Sequence, residues 1–288
     1  MKTNTKNIIL FPLNVLHRIS PATTLKIMYR LKQGRKLDLK NPKTYTEKLQ
    51  CVKLDFKHPL LTKLVDKYTV REYIGEKAPE ILTNLLWEGF DARKIPWDSL
   101  PNKFVMKATH GSGFNIICHD KSKLDREQCV KTLNGWLKEK FLRCYGEWFY
   151  GVEKPRIIIE EFLDAGEGKV PADYKIFCFN GQPHYICVDT DRFEDHKRTF
   201  YDTNWMCRDE VFYATWGHAV TAKPEKLDEL LRYAKILSEG FPHVRVDLYL
   251  VNDHIYFGEM TFTNGAGFDR IRPYSFDEEL GSLFDLGE

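Results

Sequence analysis

No apolar run in this chain approaches the roughly 20 residues that a membrane-spanning helix needs. The longest near the start, Ile8 to Leu13, is interrupted by Pro12 and has no clear cleavage site after it, so a secretory leader is not expected. C-x-x-C pairs are absent as well. The seven cysteines (Cys51, Cys118, Cys129, Cys144, Cys178, Cys187 and Cys207) are odd in number, and several sit in apolar, strand-like runs. That argues against a disulfide framework or a zinc site and for buried, reduced thiols. Internal repeats and low-complexity stretches are missing too. What remains is an ordinary mix of 43% hydrophobic and 29% charged residues over 288 positions. Disorder, collagen and coiled coil are thereby excluded, and there is length for roughly two domains with a sizeable core. A cytoplasmic location is expected.

Net charge is small, +2, but it is unevenly spread. Residues 1–40 hold nine Lys/Arg and one acid, a net +8, and the remaining 248 residues carry −6. The first segment is therefore expected to meet something anionic. Nucleic acid is an unlikely partner, because the chain beyond that segment is net acidic.

Apolar spacing predicts helices over 7–33, broken at Ser20-Pro21, and two more over 46–75, split near His58-Pro59. Residues 75–79 read as a loop. Strands follow at Phe104 to Lys107, Asn115 to Cys118 and Arg156 to Phe162, with a helix at 125–143 between the last two. Tyr174 to Phe179 and His184 to Val188 flank Asn180-Gly181, a favoured hairpin turn. A helix over 224–239 precedes two strands, Arg245 to Leu250 and His254 to Met260, joined at Asn252-Asp253. The pattern is α+β, with a mixed sheet covered by helices on one side.

Five places carry candidate chemistry. Lys107-Ala-Thr-His-Gly111-Ser112-Gly113 lies between two strands, where backbone N–H groups can close over phosphate oxygens beside a fixed cation. It is neither a Walker loop nor a dinucleotide fingerprint. Alternation puts Arg245 and Asp247 on one strand face and Glu259 and Thr261 on one face of the next, so two carboxylates can converge, as Mg²⁺ requires. The strand ending in Glu160-Glu161 can offer its edge to a purine and ribose. Asp173-Tyr174-Lys175 opens a hairpin strand. The run from Asp189 to Arg198 reads as a charged loop, and its Arg192, His196 and Arg198 suit a substrate carboxylate.

Taken in order, these pieces resemble the ATP-grasp superfamily, and more closely its TupA-like branch of surface-polysaccharide and teichuronopeptide biosynthesis. The nearer likeness rests on Asn41-Pro-Lys-Thr-Tyr-Thr-Glu-Lys48, Lys107-Ala-Thr-His-Gly-Ser-Gly113, Asp173-Tyr-Lys-Ile-Phe177, Tyr201-Asp202 and Gly258-Glu-Met-Thr-Phe262, over roughly residues 40–275. The resemblance implies an ATP-grasp fold: two α+β lobes with mixed or antiparallel sheets clasping ATP, plus a helical N-terminal segment. On that reading 1–40 is a basic helical segment, 41–100 a helical region, 101–165 the small lobe and 166–288 the large lobe.

The resemblance also assigns roles. Lys107, Gly111, Ser112 and Gly113 would hold phosphates, with Lys67 or Arg71 as a second contact. Glu160, Glu161, Phe162 and Leu163 would form the adenine hinge, and Asp164 or Glu167 would take the ribose. Arg245, Lys107 and Lys175 would be catalytic. Asp247, Glu259 and Thr261 would hold Mg²⁺, with Thr261 standing where the family has Asn. Outside the resemblance, position and charge make Arg192, His196 and Arg198 expected contacts of the substrate carboxylate, and Asp269 and Arg270 complete the expected substrate contacts. The implied activity is ATP-dependent joining of a carboxylate, here a uronic acid of a surface glycan, to an amine acceptor through an acylphosphate. The basic first segment would either touch an anionic membrane at its inner face or pack on the enzyme as a basic helical cap. Rival readings are a glycosyltransferase, for which Asp189-Thr-Asp191 is a short D-x-D, a kinase using the same parts, and a non-catalytic relative.

Overall fold

The chain opens with two helices, α1 (Thr3–Ile19) and α2 (Pro21–Gln33), broken where Ser20-Pro21 predicts. Ser20 is extended and its side chain accepts from the Thr23 amide, while Pro21 occupies the first turn, where no N–H is required. The computed structural model describes residues 3–166, 169–190, 196–213 and 218–287.

Three helices rather than two follow: α3 (Tyr45–Asp55), α4 (Leu61–Leu64) and α5 (Val70–Lys77). Asp66 separates the last two, because its Oδ1 accepts from the Tyr68 and Thr69 amides and turns the chain. α5 runs through much of the stretch read as a loop and stops just before Pro79. At the start of α3, Thr44 and Glu47 form a reciprocal capping box, each side chain accepting from the other's amide.

The first sheet contains β1 (Leu85–Gly89), β2 (Phe104–Ala108), β3 (Asn115–Cys118) and β4 (Ile157–Glu161) in the order β1-β4-β2-β3. β1 went unpredicted because it is half-buried throughout and shows no alternation. The helix read over 125–143 is α6 (Arg126–Trp136); the apolar pattern outlasts it because Leu137, Phe141 and Leu142 leave the helix to line a cavity. Phe104, Met106, Ile157 and Ile159 pack with Cys129 and Leu133 of α6 on one face, which leaves Val105, Lys107 and Glu160 on the other.

The larger sheet is built from β5 (Asp173–Phe179), β6 (Gln182–Thr190) and β7 (Lys197–Asp202), and from two strands later in the chain. Between them lie the short β8 (Phe212–Tyr213) and α7 (Leu227–Ser238). β9 (His243–Val251) and β10 (His254–Thr261) complete the order β10-β9-β5-β6-β7, and β11 (Ile271–Arg272) pairs with β8 ahead of α8 (Tyr274–Leu283). Every described pairing is antiparallel, which corrects the expectation of a mixed sheet. Of the segment read as a charged loop from 189 to 198, Asp189 and Thr190 end β6 and Lys197 and Arg198 open β7, with Asp189 opposite Arg198; 191–195 lie outside the described residues.

Strand alternation divides this sheet. Ile176, Val188, Val246 and Leu248 face α7 and its Leu230, Ala234 and Leu237. Phe177, Phe179, Tyr185 and Phe200 face the other way, against Tyr45 and Leu49 of α3 and Phe276 and Leu280 of α8. Each such side chain contributes roughly 1.5–3 kcal/mol on burial. Asp277 ties the outer layers together: it accepts from Thr46 N (3.0 Å) and Thr46 Oγ1 (2.8 Å) and pairs with Arg35. The Asn41–Lys48 stretch that carries the family likeness is thus an architectural joint between α3 and α8.

Candidate active site

The same sheet face that is apolar beneath α3 and α8 becomes charged toward the strand ends near the first sheet. Period-2 alternation carries Phe177 into Lys175 and Asp173 along β5, and Arg245 into Asp247 along β9. Lys175 stands opposite Asp247, and Asp173 opposite Asp189. Lys175 Nζ lies 2.7 Å from Asp247 Oδ2 and also holds Asp173. Burial alone would lower the Lys175 pKa, but Asp173 and Asp247 hold it above its ordinary value. Arg245 grips Asp247 with two 2.6 Å bonds and reaches Glu259 Oε1 and Thr261 Oγ1, both at 3.1 Å. Burial pushes the Asp247 carboxyl up against the pull of these cations.

Glu259 owes its place to a β-bulge. Phe257 pairs with Leu248 and Glu259 with Asp247, so Gly258 is an extra residue in β10. Without it Glu259 would share the apolar face with Ile255 and Phe257. The bulge needs glycine here, because a Cβ would stand 2.9 Å from the Asp247 carbonyl oxygen.

Opposite this row, the first sheet presents Lys107 and Glu160. Lys107 Nζ is 2.6 Å from Glu160 Oε2, while Arg71 (2.9 Å) and the Thr83 hydroxyl (2.6 Å) donate to Oε1. Burial would raise the Glu160 pKa, but Lys107, Thr83 and Arg71 hold it below the usual range. Between the two sheets lies a cleft lined by Lys107, Glu160, Phe162 and Leu163 on one side and Tyr249 and Phe257 on the other.

The Gly-rich turn closes through Ala108 N to Phe114 O (2.9 Å). Gly111 lies so close under the Phe114 ring that a Cβ would overlap it, and Gly113 is left-handed at φ 74°. Lys67 Nζ donates to Gly111 O (2.8 Å); burial lowers its pKa and the Glu259 charge draws it back up, so this lysine stands between the loop and the acidic row. Beyond the loop is a second cavity, about 560 Å³, lined by His110, Ser112, Trp136, Phe141, Glu147 and Gly265 among others. Beneath its floor Lys53 is buried, donating to Tyr145 O and Ala266 O, and burial lowers its pKa.

The structure therefore brings together Lys67, Arg71, Lys107, Glu160, Phe162, Leu163, Lys175, Arg245, Asp247, Glu259 and Thr261. Others stand apart. Asp164 pairs with Lys103 (2.6 Å) and does not line the cleft. Arg198 forks onto buried Asp189 at 2.6 and 2.7 Å, and His196 lies 3.2 Å from the same carboxylate, so both face a protein anion. Asp269 and Arg270 sit against α2: the Asp269 carbonyl accepts from Gln33 and Arg270 Nε donates to Lys32 O. Arg192 and Glu167 lie outside the described residues. Sequence reasoning missed Thr83, Tyr249, Phe257 and the Gly258 bulge; only the unpaired count between β9 and β10 signals the last.

Two antiparallel sheets that meet across a cleft, each carrying a cluster of cations and acids, with a glycine-rich turn between two strands of the first, define the ATP-grasp fold. The family profile of TupA-like ATP-grasp proteins matches residues 47–285, and the chain belongs to that family. Solved structures similar to it include D-alanine–D-alanine ligase from Bacillus anthracis complexed with ATP (16% identity, 70% of this chain and 57% of that one, TM-score 0.43). Others are the L-amino acid ligase from Bacillus licheniformis (14%, 73% and 44%, TM-score 0.46) and N5-carboxyaminoimidazole synthetase from Staphylococcus aureus complexed with ADP (14%, 69% and 44%, TM-score 0.44). The chain thus spans about half the length of these enzymes. No curated protein matches the sequence.

Proposed function

We propose that this protein is an ATP- and Mg²⁺-dependent, ADP-forming carboxylate–amine ligase that amidates a uronic acid of a cell-surface polysaccharide with an amino acid or amine. The observation that carries the reading is the facing of Lys107 and Glu160 across the cleft from Tyr249 and Phe257, on the strands that hold Arg245, Asp247 and Glu259. The donor set suits its ligands. Two carboxylates on adjacent strands are hard oxygen donors that would suit Mg²⁺, and Arg245 and Lys175 neutralise their charge. ATP supplies the phosphoryl group that activates the carboxylate, and Mg²⁺ screens its charge.

The protein's own work is placement and charge balance. Phe162 and Leu163 offer apolar surface and backbone edge to the base. Lys107 and the Gly111–Gly113 amides hold the phosphates, and Lys67 fixes that turn by its carbonyl. Arg245, held beside Asp247 and Glu259, would stabilise the oxyanion that develops when the amine attacks. The loss of one such donor costs two to three orders of magnitude in rate. The second cavity suits a sugar: Phe114 stacks on Trp136 and Phe141 on Tyr150 along its walls, beside polar His110 and Glu147. Flat aromatic faces with polar groups between them match a pyranose, which has apolar C–H faces and a hydroxyl rim. That moves the carboxylate donor away from His196 and Arg198. The protein acts at the cytoplasmic side, with residues 1–40 touching anionic lipid.

The test is ADP and phosphate release across a panel of uronic acids and amines. Turnover that needs both substrates, and falls at least 100-fold in Lys107→Met, is expected. Release of AMP and pyrophosphate, or turnover without a carboxylate, overturns the reading.

A further inference from the structure

α1 is apolar on two opposite faces. Leu10 and Leu13 pack inward beside Leu25 and Met28 of α2. On the outward side Ile8, Phe11, Val15 and Ile19 follow one another at spacings of three and four, which brings them onto one stripe. These side chains are 74%, 65%, 43% and 79% exposed. A helix in water normally turns a polar face outward, and a contiguous exposed apolar stripe marks an interaction surface. Leu31 of α2 is 67% exposed as well.

Charge selects the occupant. Residues 1–40 carry +8, and Arg18, Lys26, Arg30 and Lys32 are all exposed. A second copy of this chain is a poor fit, because a two-fold interface would press two +8 segments together. An anionic bilayer suits both features at once: the stripe enters the acyl boundary and the cations stay among the headgroups. No helix among the described residues is long and apolar enough to cross a membrane, so the contact is in-plane. We propose that α1 is an interfacial anchor that inserts Ile8, Phe11, Val15 and Ile19 into an anionic membrane surface. This deepens the membrane part of the proposed function and is independent of the ligase chemistry.

The full-length protein is floated with vesicles of phosphatidylcholine alone or with 30% phosphatidylglycerol, at low and high salt. Binding to the anionic vesicles only, weakened by salt, is expected. Phe11→Ser with Val15→Ser lowers partitioning at least tenfold at low salt, and Lys26→Gln with Arg30→Gln lowers it about fivefold per residue, the effect of ~1 kcal/mol per basic side chain. These positions are exposed, so thermal unfolding and Mg²⁺·ATP binding, measured in parallel, stay at wild-type values. Equal binding to neutral vesicles, or binding unmoved by the Phe11/Val15 change, overturns the anchor. A dimer by light scattering that Phe11→Ser dissolves also overturns it, in favour of self-association. Failure of nucleotide binding in wild type leaves the anchor standing and removes the ligase reading instead.

Discussion

Gly258→Ala perturbs the bulge that aligns the two acids. An alanine Cβ there would lie 2.9 Å from the Asp247 carbonyl oxygen and 3.0 Å from the Tyr249 ring. The ring has room to tilt, but the oxygen belongs to the β9 backbone and is held by the ladder. Either β9 and β10 part by a few tenths of an ångström or the extra residue shifts along β10. Overpacking of this kind costs ~1–3 kcal/mol. For a chain of this size that is a fall of roughly 2–10 °C in Tm. The functional loss is larger than the stability loss, because a slipped β10 turns Glu259 away from Asp247 and Arg245. The assay is thermal unfolding with and without Mg²⁺·ATP, since a ligand that binds only the native state raises Tm. Gly258→Ala is expected to lower Tm and to abolish most of the nucleotide-induced rise. Gly135→Ala, at an open position in α6, is the control and gains up to ~1 kcal/mol. A Gly258→Ala protein with wild-type Tm and the full nucleotide response refutes the reasoning.

Other outcomes follow from the buried charges. Arg198→Ala removes the fork from Asp189, a carboxylate that is 1% exposed and held at a pKa of about 2 against burial. The expected loss is on the order of 3 kcal/mol in urea unfolding, and unchanged stability with weakened substrate binding would restore Arg198 to a substrate role. His243 is buried, accepting at Nε2 from Tyr45 OH (2.8 Å) with Nδ1 on Cys178 O (2.9 Å), and burial lowers its pKa to about 3. Its neutral form is the folded form, so its contribution is complete above pH 6.5 and is lost as pH falls toward 3, about 5 kcal/mol in all. Its ring signal in NMR stays unprotonated to pH 4; a midpoint near 6.5 contradicts this. Glu160, also held low, adds to the same acid instability: its share is present above the ordinary glutamate pKa and lost as pH falls through the lowered value.

Much of this protein was legible before folding. The Ser20-Pro21 break, the strands around the Gly-rich turn and the Asn180-Gly181 hairpin are local events, fixed by caps, alternation and turn chemistry. Lys107 could be chosen because a glycine-rich turn follows it, and Arg245 and Asp247 because strand periodicity puts them on one face. Three things were not legible. β1 and β7 lack a clean period, so pairing partners rather than propensity make them strands. Arg198 and His196 looked like substrate ligands because a sequence shows charge but not the buried Asp189 across the sheet that claims it. The cleft's far wall, Tyr249 and Phe257, comes from strands far from the hinge in sequence. Alternation and caps act over a few residues and are written in the chain, whereas the meeting of two sheets and the bulge that turns Glu259 inward depend on which strands pair, and only the tertiary structure decides that.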